Sequence, residues 1–197
     1  VTKYAAIAAP LANRVIGGIT SDITRATNSA GESALGDVIA DAQLQATAPA
    51  GFGDAVVAFM NPGGIRADFT YAGSAAGEGD GNVTYGEAFT VQPFGNSLVT
   101  MTLTGSQIDT LLEQQFVGCG QAGNRVLQVS AGFEYVWSAS GLACNKVDPQ
   151  SIRINGVMVM PGASYRVTVN SFLADGGDNF TVLTQGTNRL GGAVDTD

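Results

Sequence analysis

The chain has 197 residues, of which 45% are hydrophobic and 13% are charged, so it is long and apolar enough for one large domain and is not intrinsically disordered. A net charge of −8 without a block of like charges argues against nucleic-acid partners, and the absence of histidine excludes zinc-hydrolase, serine-triad and cysteine–histidine chemistry within these residues. Apolar runs are far shorter than the ~20 residues of a membrane-spanning helix, so we predict no membrane span.

Two stretches in the first quarter of the chain have the apolar spacing of helices. Residues 4–16 carry apolar side chains four residues apart, at Ile7, Leu11 and Val15, which would form one stripe on a helix. Pro10 must begin or kink this helix. Residues 33–47 alternate steps of four and three residues and are followed by the stop signals Pro49 and Gly51. We predict a helix in each stretch.

The middle of the chain alternates strand and helix patterns. Residues 55–60 are a short apolar run that predicts a buried strand, and residues 71–82 are rich in Gly, Ala and acids, which indicates a surface loop. Residues 97–104 alternate as a strand does. The segment Thr104-Gly105-Ser106-Gln107 then fits a capping box that opens a helix over residues 108–116.

The last third of the chain is typical of strands. The dipeptide Asn155-Gly156 between two alternating runs is a strong hairpin signal, because both turn positions need positive φ. The predicted strands cover residues 126–129, 133–137, 151–154, 157–160 and 165–169. Helices dominate early and strands late, so we predict an α+β fold with a mixed sheet and several helices.

Two cysteines, Cys119 and Cys144, lie in Gly-rich, loop-like sequence without a Cys-x-x-Cys spacing. A secreted protein could join them, but the sequence does not supply the distance between them, so a disulfide and two free thiols both stay open at this point.

Three loops at strand ends combine aromatic, amide and charged side chains. In residues 61–68, Arg66 could contact an anion with its planar guanidinium. Taken alone, this segment is more simply a turn at a strand end in which Arg66 pairs with Asp68. In residues 170–180, Phe172 either faces a pocket or belongs to the core, as most phenylalanines do. Residues 92–96 taken alone form a turn around Phe94. Together the loops hold what a nucleotide site needs: rings for stacking, a carboxylate for ribose hydroxyls and a guanidinium for phosphate.

Five motifs, which span nearly the whole chain in this order, resemble the C-terminal domain of the 5′-nucleotidase family. They are Gly31-Glu32-Ser33-x-x-Gly36-Asp37-x-x-Ala40-Asp41-Ala42, Asn61-x-Gly63-Gly64-Ile65-Arg66, Pro93-Phe94-Gly95-Asn96, Leu127-Gln128-Val129-Ser130-x-Gly132 and Asn170-x-Phe172-x-Ala174-x-Gly176-Gly177-Asp178-x-Phe180.

The resemblance implies a two-domain hydrolase acting on phosphoric esters. An N-terminal metallophosphatase domain would hold two divalent metal ions and the catalytic groups, while this chain would bind the nucleotide substrate, with no cofactor and no catalytic residue of its own. We therefore expect residues 1–16 to end an interdomain linker helix, and residues 17–197 to form the nucleotide-binding domain. That domain would stop before its last helix, at Asp195-Thr196-Asp197.

The resemblance also assigns roles to residues of the proposed site. Phe94 and Phe172 match the aromatic pair that sandwiches the base, and Asp178 matches the carboxylate on the ribose hydroxyls. Arg66 matches an arginine near ribose and phosphate. Asn61 and Asn96 match positions that can address the base edge, and the backbone of Gly63 and Gly64 shapes their loop. The family also has a second arginine that contacts the phosphate. For that contact the family's arginine is replaced in the best-aligned place by Ser29, and Arg25 is the nearest candidate.

Three acids on or beside the second predicted helix, Glu32, Asp37 and Asp41, have a structural interpretation, because acids at a helix start complement its dipole. We expect an extracellular, periplasmic or cell-surface protein. The substrate stays open between a 5′-monophosphate, a 2′,3′-cyclic nucleotide and a nucleotide sugar. The alternative function is a non-enzymatic surface binding module that has inherited the fold.

Overall fold

A computed structural model describes residues 2–74 and 76–196 of the chain. The helices are α1 (Thr2–Ala12), α2 (Ala34–Thr47), α3 (Tyr85–Val91), α4 (Gly105–Glu113) and α5 (Ser171–Ala174). The strands are β1 (Val15–Gly18), β2 (Val57–Met60), β3 (Asn82–Thr84), β4 (Ser97–Thr104), β5 (Gln128–Val129), β6 (Phe133–Leu142), β7 (Asn145–Ile154), β8 (Val157–Met158), β9 (Ser164–Asn170) and β10 (Thr187–Val194). Short 3-10 turns cover residues 62–64, 177–179 and 181–185.

The central sheet has the strand order β10-β4-β9-β2-β5. Strands β2 and β9 are parallel, with Val57 opposite Val167, and the other neighbours in this sheet are antiparallel. A three-stranded sheet, β6-β7-β8, and a two-stranded sheet, β1-β3, complete the strands. The predicted α+β class with a mixed sheet is therefore confirmed.

Two apolar clusters build the core. The larger cluster includes residues of the central sheet, of α4 and of the three-stranded sheet, which presents Phe133 to Phe59 at a ring-centroid distance of 5.0 Å. The smaller cluster lies under α2, where Leu35 and Ile39 are buried with Met60. All four residues of β2 are buried, as the apolar run predicted, so this strand is covered on both faces.

Side-chain caps fix where the helices begin. Ser33 accepts a hydrogen bond from the amide of Gly36 and caps α2, which confirms the second predicted helix. The capping box of Thr104 and Gln107 is also present, although α4 ends at Glu113 rather than at residue 116. The hairpin turn is confirmed as well, because Asn155 has φ 50° and Gly156 has φ 76° between β7 and β8.

The prediction for residues 4–16 was wrong at its C-terminal end. Helix α1 ends at Ala12 and contains Pro10, while Val15 belongs to β1, which pairs with β3. The four-residue spacing continues into a segment that the partner strand makes extended, and two glycines at its end disfavour a helix. Strand β3 and helix α3 were not predicted, although Thr84 and Glu87 form a capping box that the sequence displays.

At the other end of the chain, the expected start of a closing helix is not observed. Asp195 and Thr196 lie in a turn after β10, and Asp197 lies outside the described residues. No helix in the described part of the chain is long and apolar enough to cross a bilayer.

Cys119 and Cys144 form a disulfide, with their Cα atoms 5.0 Å apart. The bond joins the loop after α4 to the turn between β6 and β7, two segments that are 25 residues apart in sequence. The question that the sequence left open is thereby answered in favour of the bridge.

We predict that the variant with Cys119→Ser and Cys144→Ser loses about 3 kcal/mol of unfolding free energy, because the bond restricts the unfolded chain over a loop of this length. Urea denaturation followed by circular dichroism measures this loss. Reduction of the wild-type protein should lower its unfolding midpoint similarly and leave that of the double variant unchanged. Equal midpoints for oxidised wild type and double variant would contradict the prediction.

Candidate functional site

The strand order brings three loops to one edge of the central sheet. Strands β2 and β9 are parallel neighbours, so the loops that follow them leave the sheet on the same side. Strand β4 runs antiparallel to β9, with Leu98 opposite Asn170, so the loop that precedes β4 reaches the same edge. Residues 61–66, 92–96 and 171–180 meet there because of this topology.

A cavity of about 240 Å³ lies where these loops meet. Its lining contains every site residue predicted from sequence except Arg25, together with two residues that were not predicted. The lining residues are Asn61, Gly63, Gly64, Arg66, Phe94, Asn96, Arg125, Asn170, Phe172 and Asp178.

Two phenylalanine rings in this cavity are open to solvent. Phe94 is 55% exposed and Phe172 is 46% exposed, whereas Phe180 is fully buried in the core. A Cβ atom on Gly177 would lie 2.5 Å from Cε1 of Phe172, so the ring rests against a backbone that only glycine provides. Exposed aromatic rings in a cavity are suited to stacking with a flat ligand.

The carboxylate of Asp178 is held from two sides. The side-chain amide of Asn61 donates to Oδ2 at 2.9 Å, and the guanidinium of Arg125 donates to Oδ1 at 2.5 Å. The side chain of Asp178 is 15% exposed, so this ion pair is screened less than one on an open surface. Gly63 lies close to this carboxylate, because a Cβ atom there would be 3.4 Å from Oδ2, at ordinary contact distance.

Asn61 is 3% exposed and takes part in a chain of buried amides. Its Oδ1 accepts a hydrogen bond from Asn170 at 2.9 Å, and the Oδ1 of Asn170 in turn accepts from the amide of Leu173. The latter bond caps α5, the short helix that carries Phe172. Asn61 therefore supports Asp178 in this structure, and its contact with a base edge stays a prediction.

Asn96 lines the cavity from the loop before β4. Its Nδ2 donates to Asp195 at 3.2 Å, and its Oδ1 accepts a long hydrogen bond of 3.4 Å from Ser171. Asn96 thus links the loop before β4 to α5, and its contact with a base stays a prediction.

The arginines predicted for the phosphate lie in different environments. Arg66 donates to the carbonyl of Gly63 at 3.2 Å, and its guanidinium carbon lies 5.8 Å from the ring centre of Phe94. Arg25 instead forms an ion pair with Asp68 at 3.8 Å and does not line the cavity. The interpretation that Arg66 pairs with Asp68 was therefore wrong, because Arg25 takes that partner.

Sequence reasoning missed Arg125 and Asn170 as lining residues. Asn170 was visible in a family motif, as the residue two before Phe172, but its side chain was not assigned a role. Arg125 carries no local pattern in the sequence; it lies just before β5, which pairs with β2 at the sheet edge, and its amide bonds to the carbonyl of Gln115.

Glu32, which precedes α2, and Asp37 and Asp41 within it lie outside the cavity, which agrees with their structural interpretation. Asp41 accepts a hydrogen bond from the amide of Ala131 at 2.6 Å. Burial, and then the charges of Glu32 and Asp41, raise the pKa of Asp37 to about 6. No three His, Cys, Asp or Glu side chains in residues 2–74 and 76–196 lie close enough together to hold a metal ion.

Residues 11–185 match the family described as "5′-nucleotidase, C-terminal domain". The trifunctional nucleotide phosphoesterase protein YfkN of Bacillus subtilis is 37% identical over 158 residues, which cover 78% of this chain and 10% of YfkN. The cell wall protein Lmo0130 of Listeria monocytogenes is 34% identical over 169 residues, which cover 84% of this chain and 20% of Lmo0130. The chain thus spans a small part of these relatives.

Solved structures show the same fold. The 5′-nucleotidase precursor of Thermus thermophilus superposes with a TM-score of 0.76 at 34% identity, over 99% of this chain and 37% of that one. The NAD nucleotidase of Haemophilus influenzae shares the fold with a TM-score of 0.72 at 22% identity, over 99% of this chain and 36% of that one.

The raised pKa of Asp37 predicts a pH dependence of stability. In the folded protein the carboxyl of Asp37 stays neutral up to about pH 6, whereas in the unfolded chain it ionises near its ordinary pKa of 3.8. The unfolding free energy that Asp37 contributes is therefore present below pH 3.8 and is lost as the pH rises to about 6.

We expect Asp37→Asn to be more stable relative to wild type at pH 7 than at pH 4. The measurement is urea unfolding at both pH values. Asp80→Asn is the matched control, because the side chain of Asp80 is exposed. A difference between wild type and Asp37→Asn that stays constant with pH would contradict the assignment.

Proposed function

Because the chain belongs to the 5′-nucleotidase family, whose C-terminal domain it matches, we propose that it binds the nucleoside part of a substrate for a metal-dependent phosphohydrolase. The observation that carries this proposal is the convergence of Phe94, Phe172 and Asp178 on one cavity. The rings stack on the base and the carboxylate accepts hydrogen bonds from the ribose hydroxyls. Stacking contributes about 1–3 kcal/mol per base.

In this proposal the substrate's phosphate meets the cationic side of the site. Arg66 presents a planar set of donors beside Phe94, and a guanidinium matches the geometry of phosphate oxygens. Arg25 stays a predicted second phosphate contact, although its ion pair with Asp68 would have to open for that role.

The partner in this proposal is an N-terminal metallophosphatase domain outside the present residues. It would hold two divalent metal ions and the catalytic groups, and the reaction would be hydrolysis of a phosphoric ester in nucleotide catabolism. The printed name of YfkN, a nucleotide phosphoesterase, supports this class of reaction. Residues 1–16 would end the linker to that domain and residues 17–197 would form the nucleotide-binding domain, with no catalytic residue and no cofactor of its own.

We place the protein outside the cytoplasm, at the cell surface, in the periplasm or in the medium. The disulfide between Cys119 and Cys144 supports this location, because such bonds persist in oxidising compartments. A similar relative is named as a cell wall protein.

The same relative supports the second candidate, a surface binding module without catalysis, because its printed name states a location and no reaction. The discriminating observation is the sequence that precedes Val1 in the parent reading frame. Metal-ligand motifs of Asp, His and Asn there would favour the enzyme, and their absence would favour the module.

We predict that Phe172→Ala weakens binding of adenosine and AMP about tenfold through lost stacking. Isothermal calorimetry measures the affinities, and NMR shift mapping identifies the residues that respond. Phe52→Ala is the matched control, because this ring is 66% exposed and does not line the cavity. Ribose 5-phosphate, which lacks a base, should bind wild type and Phe172→Ala equally. Equal losses for AMP and ribose 5-phosphate, or shifts remote from Phe94 and Asp178, would contradict the site.

A further inference from the structure

Asp178 lies in the left-handed region of backbone conformation, which is uncommon for a residue other than glycine. Its φ and ψ are 52° and 28°, and Asn179 follows with φ 61°. Left-handed backbone is disfavoured for residues with a Cβ atom, less so for Asp and Asn than for others, and it persists where surrounding contacts impose it. Two such residues in sequence indicate that neighbouring elements fix this turn.

The support comes from residues 117–125, between α4 and β5, which we call the bracing segment. Gln121 donates to the backbone carbonyl of Asp178 at 2.6 Å, and Arg125 donates to its Oδ1 at 2.5 Å. The side chain of Asn179 donates to the carbonyl of Gly120 at 3.1 Å. The bracing segment therefore holds both the backbone and the side chain of the Asp178 turn.

The bracing segment is itself anchored at both ends. The amide of Arg125 donates to the carbonyl of Gln115 at 2.8 Å, next to the end of α4. The disulfide of Cys119 ties the other part of the segment to the turn between β6 and β7. Arg125 thus acts on Asp178 from a fixed backbone, although its own side chain is about half exposed.

The hydrogen bonds to Asp178 leave acceptor capacity for a sugar diol. A carboxylate has about four lone-pair sites, two on each oxygen. In the described structure Arg125 uses a site on Oδ1 and Asn61 uses a site on Oδ2. One further site stays on each oxygen, which equals the two O–H donors of a vicinal diol.

Arg125 also balances the charge of the cavity. A nucleotide is an anion, and a carboxylate without a cationic partner in the same cavity would repel it. Pairing with Arg125 neutralises the charge of Asp178 while its oxygens keep their remaining lone pairs. The site can therefore address sugar hydroxyls without opposing the phosphate.

We propose that Arg125 is a positioning residue that sets the selectivity of this site for ribose over sugars that lack the vicinal hydroxyls. It acts through Asp178, which it holds in the orientation that the diol requires. This inference rests on the proposed function, because it concerns the sugar of the nucleoside bound between Phe94 and Phe172.

The test compares adenosine with 2′,3′-dideoxyadenosine by calorimetry on the 197-residue chain. We expect Arg125→Ala to lose roughly tenfold in affinity for adenosine, on the order of one hydrogen bond to a charged group. Its affinity for the dideoxynucleoside should stay unchanged, because that ligand makes no bond to Asp178. Arg125→Lys should recover part of the loss, since it restores the charge without the planar fork.

Two further variants keep the test decisive. Arg153→Ala is the matched control, because this arginine pairs with Glu134 on the three-stranded sheet and does not line the cavity. Gln121→Ala removes the backbone bond to Asp178 and leaves the carboxylate's own partners in place. It should shift the selectivity in the same direction as Arg125→Ala, and it replaces that variant if thermal unfolding shows Arg125→Ala to be unfolded.

Three results would overturn the inference while the proposed function stands. Equal losses for adenosine and the dideoxynucleoside would show that Arg125 only maintains the fold. When AMP is titrated as a third ligand, a loss for AMP with adenosine unchanged would make Arg125 a phosphate contact, and unchanged affinities for all three ligands would deny it any role. Absence of adenosine binding by the wild type is a separate outcome, because it refutes the proposed function and the inference with it.

Discussion

The parallel pairing of β2 and β9 is the constraint on which the site depends. Two parallel neighbours end at the same edge of a sheet, so the loops that follow them are adjacent regardless of their distance in sequence. Residues 61–66 and 171–180 are more than a hundred positions apart, yet Asn61 lies within 2.9 Å of Asp178. The parallel register at this point pairs Val57 with Val167 and Ala58 with Thr168.

The site divides into a fixed polar part and an open aromatic part. Asn61, Asn170 and Asp178 are joined by hydrogen bonds and are mostly or fully buried, so their geometry exists before a ligand arrives. Phe94 and Phe172 are about half exposed and gain burial only from a ligand. Such a division suits the proposed binding of a nucleoside. Hydrogen bonds to a sugar depend on direction, whereas stacking on a ring accepts any base.

Family membership, which the sequence motifs predicted, is confirmed, and the activity of the whole protein stays our proposal because the chain spans 10% of YfkN and 37% of the Thermus thermophilus chain. Recognition and catalysis would then belong to different domains. The bracing segment makes the geometry of Asp178 a property of the disulfide-tethered loop as well as of the sheet edge.

The sequence by itself determined the features that arise from local physics. Apolar period, caps and turn residues predicted α2, β2, the Thr104 capping box and the Asn155-Gly156 hairpin, because each depends on neighbours within a few positions. The family motifs also predicted most of the loop residues that line the cavity. Much of the fold and most of the site residues that share the cavity were therefore predictable.

Only the tertiary structure decided what depends on distant partners. In the structure Phe172 is exposed and Phe180 is buried. Arg125 rather than Arg25 lines the cavity. Val15, which the apolar spacing assigned to a helix, lies in a paired strand. The physical reason is that ion pairs, burial and strand pairing belong to pairs of residues far apart in the chain, and no single segment carries that information.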